Sequence, residues 1–273
     1  MSRGTPWRAE GLKAAAAASD IEVFIPEQPK WSTSFVKAFE LFGNIDTHGA
    51  ALAWLAHIDV LKLIIQNRWQ SALVLEDDVD WSVDIRKQTS EVAKAVLELT
   101  GQQAGSDAPY ALDWDIIWMG HCGDPPDFKH KPYVAWNDRT VLPLDRYENI
   151  NRHVTTQLGE GQRAVHFSSS PICTWAYAVS AEGARKVMAE ASEGHGGAFD
   201  LLLMDRCKTE KWRCITVNIE LFDDYHPAEG ELSEIRAGDS EPDLEPAASK
   251  KMGRTKNVLK SARCAGLYGV TCT

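Results

Sequence analysis

The stretch SALVLEDDVDW, residues 71–81, joins a short apolar run to a dense acidic run. Residues 71–75 predict a strand, because a nearly continuous apolar run of this length is typical of a parallel sheet covered on both faces. The acidic run, Glu76-Asp77-Asp78-Val79-Asp80, begins where that strand ends. Ligands of open α/β sheets bind outside the carboxyl ends of the strands, so this stretch predicts both a fold and the place of a site.

The segments around this stretch alternate between helical and strand patterns. Apolar residues recur at helical spacing over residues 49–68, and Thr47 stands where it can cap that helix. Further helices are predicted over 10–19, 82–99, 181–191 and 200–207, and further strands over 21–25, 115–119, 174–180 and 214–217. Helices that alternate with short buried strands indicate an α/β layered fold.

The composition excludes one class of partner and predicts a tail. The 273 residues carry a formal net charge of -10, which argues against non-specific nucleic-acid binding, since that needs a basic surface. A nucleotide ligand is compatible with this charge, because a bound divalent cation reverses the local field. No run approaches the ~20 apolar residues of a membrane-spanning helix, so none is predicted. Residues 237–273 are expected to form a flexible C-terminal tail.

The six cysteines include no CxxC pair, so a structural zinc site is not expected. Cys207 and Cys214 are close enough in sequence to form a local disulfide, and so are Cys264 and Cys272. An even number of cysteines is compatible with the secretory pathway. The N-terminal sequence has no convincing signal-peptide core, which points the other way. The localisation therefore stays open.

The acidic run is the strongest candidate for chemistry, because clustered carboxylates are costly unless water or a cation neutralises them. If the run is extended, Glu76, Asp78 and Asp80 lie on one side and Asp77 on the other. Asp78 is then the main metal ligand with Asp80 assisting, and Glu76, Asp77 and Asp80 contact the nucleotide or metal-bound water. The alternative is a solvated acidic turn without a ligand.

Other candidates lie farther along the chain. His226 stands among carboxylates after the last strand and could complete a Mn²⁺ shell, although a lone loop histidine is often merely exposed. His121 lies in a Gly-flanked turn and is a candidate contact to the cofactor. Asp200, directly after a Gly-rich turn, is the first candidate for a general base, and Asp205 is the second. Alternatively, Asp200 is a helix cap and Asp205 is a surface charge.

Five segments in the same order resemble glycosyltransferase family 25, and in particular its fungal branch, whose members are often labelled lipopolysaccharide-biosynthesis-like. They are HGAALAWLAHIDVLKLIIQNRWQSALVLEDDVDW, DIIWMGHCG, TWAYAVSAEGARKVM, AFDLLLMDRC and LFDDYHPAEGELSEI, and the resemblance covers roughly residues 3–236. It implies a GT-A type nucleotide-sugar-binding fold, a Rossmann-like sheet with helices on both faces. Glu76-Asp77-Asp78 corresponds to the acidic metal motif of the family.

The same resemblance implies a Mn²⁺-dependent inverting transferase. The donor is a UDP-sugar, with galactose favoured as the hexose, and the acceptor is a hydroxyl group of a glycan, a protein or a lipid. Family members usually open with a buried strand that this chain lacks. We therefore expect residues 1–236 to be an N-terminally incomplete catalytic domain, or one with impaired activity.

Two other readings of the acidic run stay open. A metal-dependent phosphoryl-transfer hydrolase would use the same carboxylates and requires a second carboxylate cluster, for which Asp223-Asp224 is the candidate. A non-catalytic protein derived from a transferase would bind a sugar or a nucleotide without turnover.

Overall fold

The structure, a computed structural model, describes residues 6–105, 108–148, 157–194, 196–226 and 253–270. Its centre is a six-stranded sheet, and a smaller three-stranded sheet packs beside it. The large sheet contains β1 (Ser71–Leu75), β3 (Ile116–Gly120), β4 (Tyr133–Asn137), β5 (Gln162–Phe167), β6 (Ala176–Ser180) and β7 (Cys214–Asn218). The small sheet contains β2 (Val79–Trp81), β8 (Phe222–His226) and β9 (Arg254–Thr255).

The large sheet is mixed rather than parallel. Its strand order is β1-β6-β3-β7-β5-β4, and only the β3/β7 pair is parallel. The predicted strand over residues 71–75 is confirmed, but its predicted place is wrong. β1 is an edge strand that pairs antiparallel with β6, and Leu73 on it is 41% exposed. Its apolar run reflects the cleft beside that edge and not a second neighbouring strand.

The described helices are α1 (Pro6–Ala18), α2 (Thr33–Gly43), α3 (His48–Gln66), α4 (Ile85–Thr100), α5 (Ala181–Ala191), α6 (Phe199–Lys208) and α7 (Ala262–Tyr268), with a 3₁₀ turn at Leu144–Arg146. Five of the seven described helices, α1 and α3 to α6, lie within a few residues of their predicted positions, whereas α2 and α7 were not predicted. The Thr47 side chain accepts a hydrogen bond from the backbone N–H of Ala50 and so caps α3 as predicted.

The predicted strand over residues 21–25 is wrong. The segment has no regular secondary structure, although Ile21, Val23 and Ile25 alternate and pack against an apolar core. Alternation makes a strand only where a neighbour offers backbone hydrogen bonds, and this segment has no such neighbour among the described residues.

Two apolar cores cover the two faces of the large sheet. On β3, Ile116 and Trp118 join the core formed with α3, α5 and α6, whereas Ile117 and Met119 join the core formed with α1 and α4. This alternation follows from the two-residue repeat of a strand. Helices on both faces of the sheet confirm the α/β class.

Helix α3 is long and apolar enough to cross a membrane, the one such helix in the part of the chain that the structure describes. In the structure it packs as a core helix. Nine of its residues are buried, among them Trp54, Leu61 and Ile64.

The end of the chain is part of the domain. The prediction of a flexible tail over residues 237–273 is wrong for residues 253–270, while residues 237–252 and 271–273 lie outside the described ranges. β9 pairs with β8, and α7 packs on α1 so closely that a Cβ at Gly266 would lie 2.2 Å from the Ala14 carbonyl oxygen. The sequence gives no pattern that would reveal this packing, because it depends on small residues at one long-range contact.

A buried carboxylate ties this C-terminal segment to the acidic run. Asp80 is fully buried and accepts hydrogen bonds from the Thr255 hydroxyl (2.6 Å), the Ser261 hydroxyl, the Arg263 backbone N–H (2.9 Å) and the Trp81 backbone N–H (2.8 Å). All of its acceptor capacity is used inside the protein. Asp80 is therefore a structural residue.

Two disulfides are described in full. The predicted Cys207–Cys214 bond is confirmed, and a second bond joins Cys122 to Cys173 across 51 residues of sequence. Cys264 is also disulfide-bonded, while its predicted partner Cys272 lies outside the described residues.

Replacement of Asp80 by Ala is expected to destabilise the fold by about 3 kcal/mol, because it leaves buried donors without an acceptor. Urea unfolding measures this change. Asp205→Ala is the matched control, since the Asp205 carboxylate is 52% exposed, and it should alter stability by less than about 0.5 kcal/mol. Equal stabilities of the two variants would contradict the structural role of Asp80.

Candidate functional site

A cleft of about 1650 Å³ opens at the carboxyl end of β1. Its walls come from α3, the start of α6, the segment 21–31 and β8. One part of the wall is apolar, and the other carries ionisable side chains. These include Glu76, Asp77, Asp78, Asp200, Asp223, Asp224, His226 and Lys256. The predicted location of the site, at the end of the strand, agrees with this cleft.

The acidic turn, Glu76–Asp78, joins β1 to β2 and is held by two arginines. Arg8 from α1 places Nη1 2.7 Å from Asp77 Oδ1 and 3.2 Å from Asp78 Oδ2. Arg263 from α7 donates to the Asp77 carbonyl oxygen (3.0 Å). Asp77 and Asp78 thus face one guanidinium, so the prediction that Asp77 points away is wrong. The backbone turns here and is not extended.

Glu76 is the most exposed of the three carboxylates in the turn. Its Oε1 accepts a hydrogen bond from the Thr174 hydroxyl (2.7 Å), and its side chain is 32% exposed. Burial, together with the negative charge of Asp78, raises the pKa of Glu76 to about 8. Burial also raises the pKa of Asp78, although Arg8 opposes this shift. Both shifts favour the protonated, neutral form of these carboxyl groups, because the protein supplies too little positive charge to stabilise both carboxylates.

His57 lies behind Glu76 and cannot supply the missing positive charge. Its Nδ1 is 3.0 Å from the Tyr177 hydroxyl, and its ring stacks on Phe199 at 4.2 Å. Its Nε2 is 3.9 Å from Glu76 Oε1. Burial lowers the pKa of His57 to about 3, so the imidazole is neutral at physiological pH.

Of the two predicted general bases, only Asp200 belongs to the cleft. It is the second residue of α6, and its Oδ2 accepts a hydrogen bond from the Cys173 backbone N–H (2.9 Å). Asp205 lies five residues farther along the same helix, about 140° around it, and does not line the cleft. Its carboxylate pairs with Arg206. The structure therefore places Asp205 outside the candidate site.

His121, the predicted cofactor contact, is buried and does not line the cleft. Its Nε2 donates to the Val217 carbonyl oxygen (3.0 Å), and its Nδ1 accepts from the Gly123 backbone N–H (3.0 Å). Both ring nitrogens are used in holding the turn after β3. Asp80, a predicted ligand of the metal and the cofactor, likewise lies outside the cleft wall, and its hydrogen bonds are all internal.

Strand β8 brings a second group of side chains to the cleft, beside the acidic turn. The Tyr225 backbone N–H donates to the Asp78 carbonyl oxygen (2.8 Å). His226 Nε2 lies 3.0 Å from Asp224 Oδ2. Burial acts to raise the pKa of Asp224, but hydrogen bonds from His226 and Asp223 outweigh it and hold that pKa below its usual value. His226 reaches the cleft as predicted, with Asp224 as its partner.

Asp223 is the most deeply buried carboxylate of this wall. Burial and the nearby Glu220 raise its pKa well above the usual range. Its Oδ2 accepts a hydrogen bond from the Asn257 side-chain amide (2.7 Å). Sequence reasoning missed Arg8, Thr174 and Asn257, because each reaches the site from a distant part of the chain and carries no local motif.

The described residues contain no group of three or more His, Cys, Asp or Glu side chains arranged to hold a metal ion. The predicted metal ligands Asp78, Asp80 and His226 do not come together, since Asp80 is buried and all of its hydrogen bonds are internal. Glu76 and Asp78 alone still fit a hard divalent cation. Such ions are commonly bound by one or two carboxylates, with waters and substrate phosphates completing the shell.

Neither the protein-family models nor the curated proteins compared with this chain give a match. The family resemblance rests on the sequence segments alone.

The pKa of Glu76 predicts a pH dependence of stability. Because the folded-state pKa of about 8 exceeds the ordinary value of 4.5, the protonated carboxyl contributes stability below pH 4.5 that is lost as the pH rises through 8. The midpoint of thermal unfolding should therefore fall more between about pH 5 and about pH 9 in the wild type than in Glu76→Gln. In the control variant Asp205→Asn, the midpoint should fall with pH as much as in the wild type. An equal fall in Glu76→Gln would contradict the raised pKa of Glu76.

Proposed function

We propose that the chain is a metal-dependent inverting glycosyltransferase of the GT-A type, which binds a UDP-sugar in this cleft. One observation carries the proposal. Glu76 and Asp78 stand at the carboxyl end of a strand and face a large cleft, and their raised pKa values reflect a lack of positive charge to stabilise both as carboxylates. This is the electrostatic condition under which a divalent cation with a diphosphate is favoured.

The dimensions and walls of the cleft support two substrates. Its volume of about 1650 Å³ exceeds the ~300–1,000 Å³ of ordinary small-molecule pockets, which leaves room for a donor and an acceptor together. Trp7 and Trp175 line it near the acidic turn, and indole faces suit the apolar faces of sugar rings. A hexose, with galactose favoured, is the group that we expect to be transferred.

Each residue of the site has a defined part in this proposal. Glu76 and Asp78 would hold Mn²⁺ or another divalent cation, which when bound neutralises the charge that develops on the diphosphate leaving group. Arg8 fixes the carboxylates of the turn. Asp200 is the candidate base for the acceptor hydroxyl, because its carboxylate is oriented by the Cys173 N–H at the cleft wall. The acceptor is a glycan, a protein or a lipid.

A phosphoryl-transfer hydrolase is the second candidate, and one observation favours it. Asp223 and Asp224, the second cluster that it requires, line the same cleft. Asp223 is almost completely buried, however, whereas the side chains of Glu76 and Asp78 are 32% and 26% exposed. The Asp223-Asp224 pair is therefore less accessible to a second metal than Glu76 and Asp78 are to a first.

Titration calorimetry with UDP, with and without Mn²⁺, tests the proposal. UDP should bind in a Mn²⁺-dependent manner, and Asp78→Asn should weaken that binding at least about tenfold, because it removes a charged ligand. Asp205→Asn, which replaces an exposed aspartate outside the cleft, is the matched control and should bind as the wild type does.

Turnover separates the candidate functions. Release of UDP from a UDP-sugar supports the transferase, whereas hydrolysis of a phosphomonoester without a sugar donor supports the hydrolase. Metal-dependent binding of UDP without turnover of any donor would indicate a non-catalytic nucleotide-binding protein. Binding of UDP that is unchanged in Asp78→Asn would overturn the assigned site.

A further inference from the structure

The disulfide between Cys122 and Cys173 lies in the wall of the cleft. It joins the loop after β3 to the loop before β6, with 5.5 Å between the two Cα atoms. The same two loops are also joined by a hydrogen bond from the Cys122 backbone N–H to the Ile172 carbonyl oxygen (2.8 Å). The disulfide therefore fixes the position of the segment that follows Cys173.

That segment makes three consecutive contacts to the carboxylate part of the site. The Cys173 N–H donates to Asp200 Oδ2 (2.9 Å), and the Thr174 hydroxyl donates to Glu76 Oε1 (2.7 Å). The Trp175 carbonyl oxygen accepts from the Glu76 N–H (3.0 Å). One short stretch thus orients the candidate base and one candidate metal ligand, although these two lie more than 100 residues apart in sequence.

The backbone of this stretch is held in an unfavourable conformation. Cys173 has a φ of 66°, in the left-handed region that residues with a Cβ rarely adopt. Such conformations cost about 1–3 kcal/mol and persist only where the surroundings determine them. Here the surroundings are the disulfide on one side and the Asp200 carboxylate on the other, so loss of the bond would let the segment relax away from the site.

The two described disulfides differ in accessibility. Cys207 and Cys214 are buried in the core between α6 and β7, whereas Cys122 and Cys173 are half-buried and open to the cleft. A small reductant can therefore reach the Cys122–Cys173 bond first, since thiol–disulfide exchange depends on access to the sulfur atoms.

We propose that the Cys122–Cys173 disulfide positions Asp200 and Glu76, and that its selective reduction weakens ligand binding reversibly. The inference rests on the proposed function for the identity of the ligand, but not for the geometry. Reduction breaks the Sγ–Sγ bond and adds two electrons and two protons to give two thiols. A dithiol supplies them and closes to its own cyclic disulfide.

Stepwise reduction of the full chain with dithiothreitol, followed by alkylation, tests the order of reduction. Cys122 and Cys173 should be alkylated before Cys207 and Cys214. Hydrogen exchange on the selectively reduced protein should show faster exchange at the amides of Cys122 and Cys173, while the amides of α3 keep their protection. Mn²⁺-dependent affinity for UDP should fall at least about tenfold and return on reoxidation.

The variants supply an independent arm. The double variant Cys122→Ser/Cys173→Ser should show the same amide exchange and UDP affinity as the selectively reduced protein. In the control double variant Cys207→Ser/Cys214→Ser, exchange of the Cys173 amide should be unchanged. Prior reduction of Cys207–Cys214, unchanged exchange at Cys173, or a general loss of protection in α3 would each overturn the positioning role. If the oxidised protein fails to bind UDP, the proposed function fails, while the exchange data still decide the inference.

Discussion

The buried carboxylate of Asp80 is the interaction on which the rest of the site depends. By accepting hydrogen bonds from Thr255, Ser261 and the Arg263 backbone, it attaches a segment from the far end of the chain to the strand after the acidic turn. Arg263 is thereby placed to donate to the carbonyl oxygens of Asp77 and Val79. The shape of the turn is thus set by residues that lie more than 170 positions away in sequence.

The charges of the site show a compromise between stability and binding. Arg8 offsets part of the repulsion between the carboxylates of the turn, and no described group of three ligands is assembled for a metal. Burial nevertheless favours the protonated form of Glu76, which costs stability at alkaline pH. Functional sites commonly tolerate such unfavourable electrostatics at the expense of stability, and under the proposed function a bound cation would supply the missing positive charge.

Five helices, four strands and the position of the acidic turn at the end of a strand were predictable from the sequence, because local patterns determine them. The helical repeat of α3, its Thr47 cap and the acidic run after β1 are all short-range signals. The place of β1 at the edge of the sheet, the burial of Asp80 and the internal hydrogen bonds of His121 depend on long-range pairing. A strand, a ligand and a buried structural aspartate share the same one-dimensional pattern, so only the tertiary contacts separate them.

The edge position of β1 has a consequence for how the protein behaves in concentrated solution. One side of this strand pairs with β6, and no described strand covers the other, where Leu73 is exposed. An uncovered strand edge with apolar side chains is a template for another strand. Two copies that meet along β1 would extend the sheet between molecules, and the contact would involve the β1 residues that line the cleft in both copies.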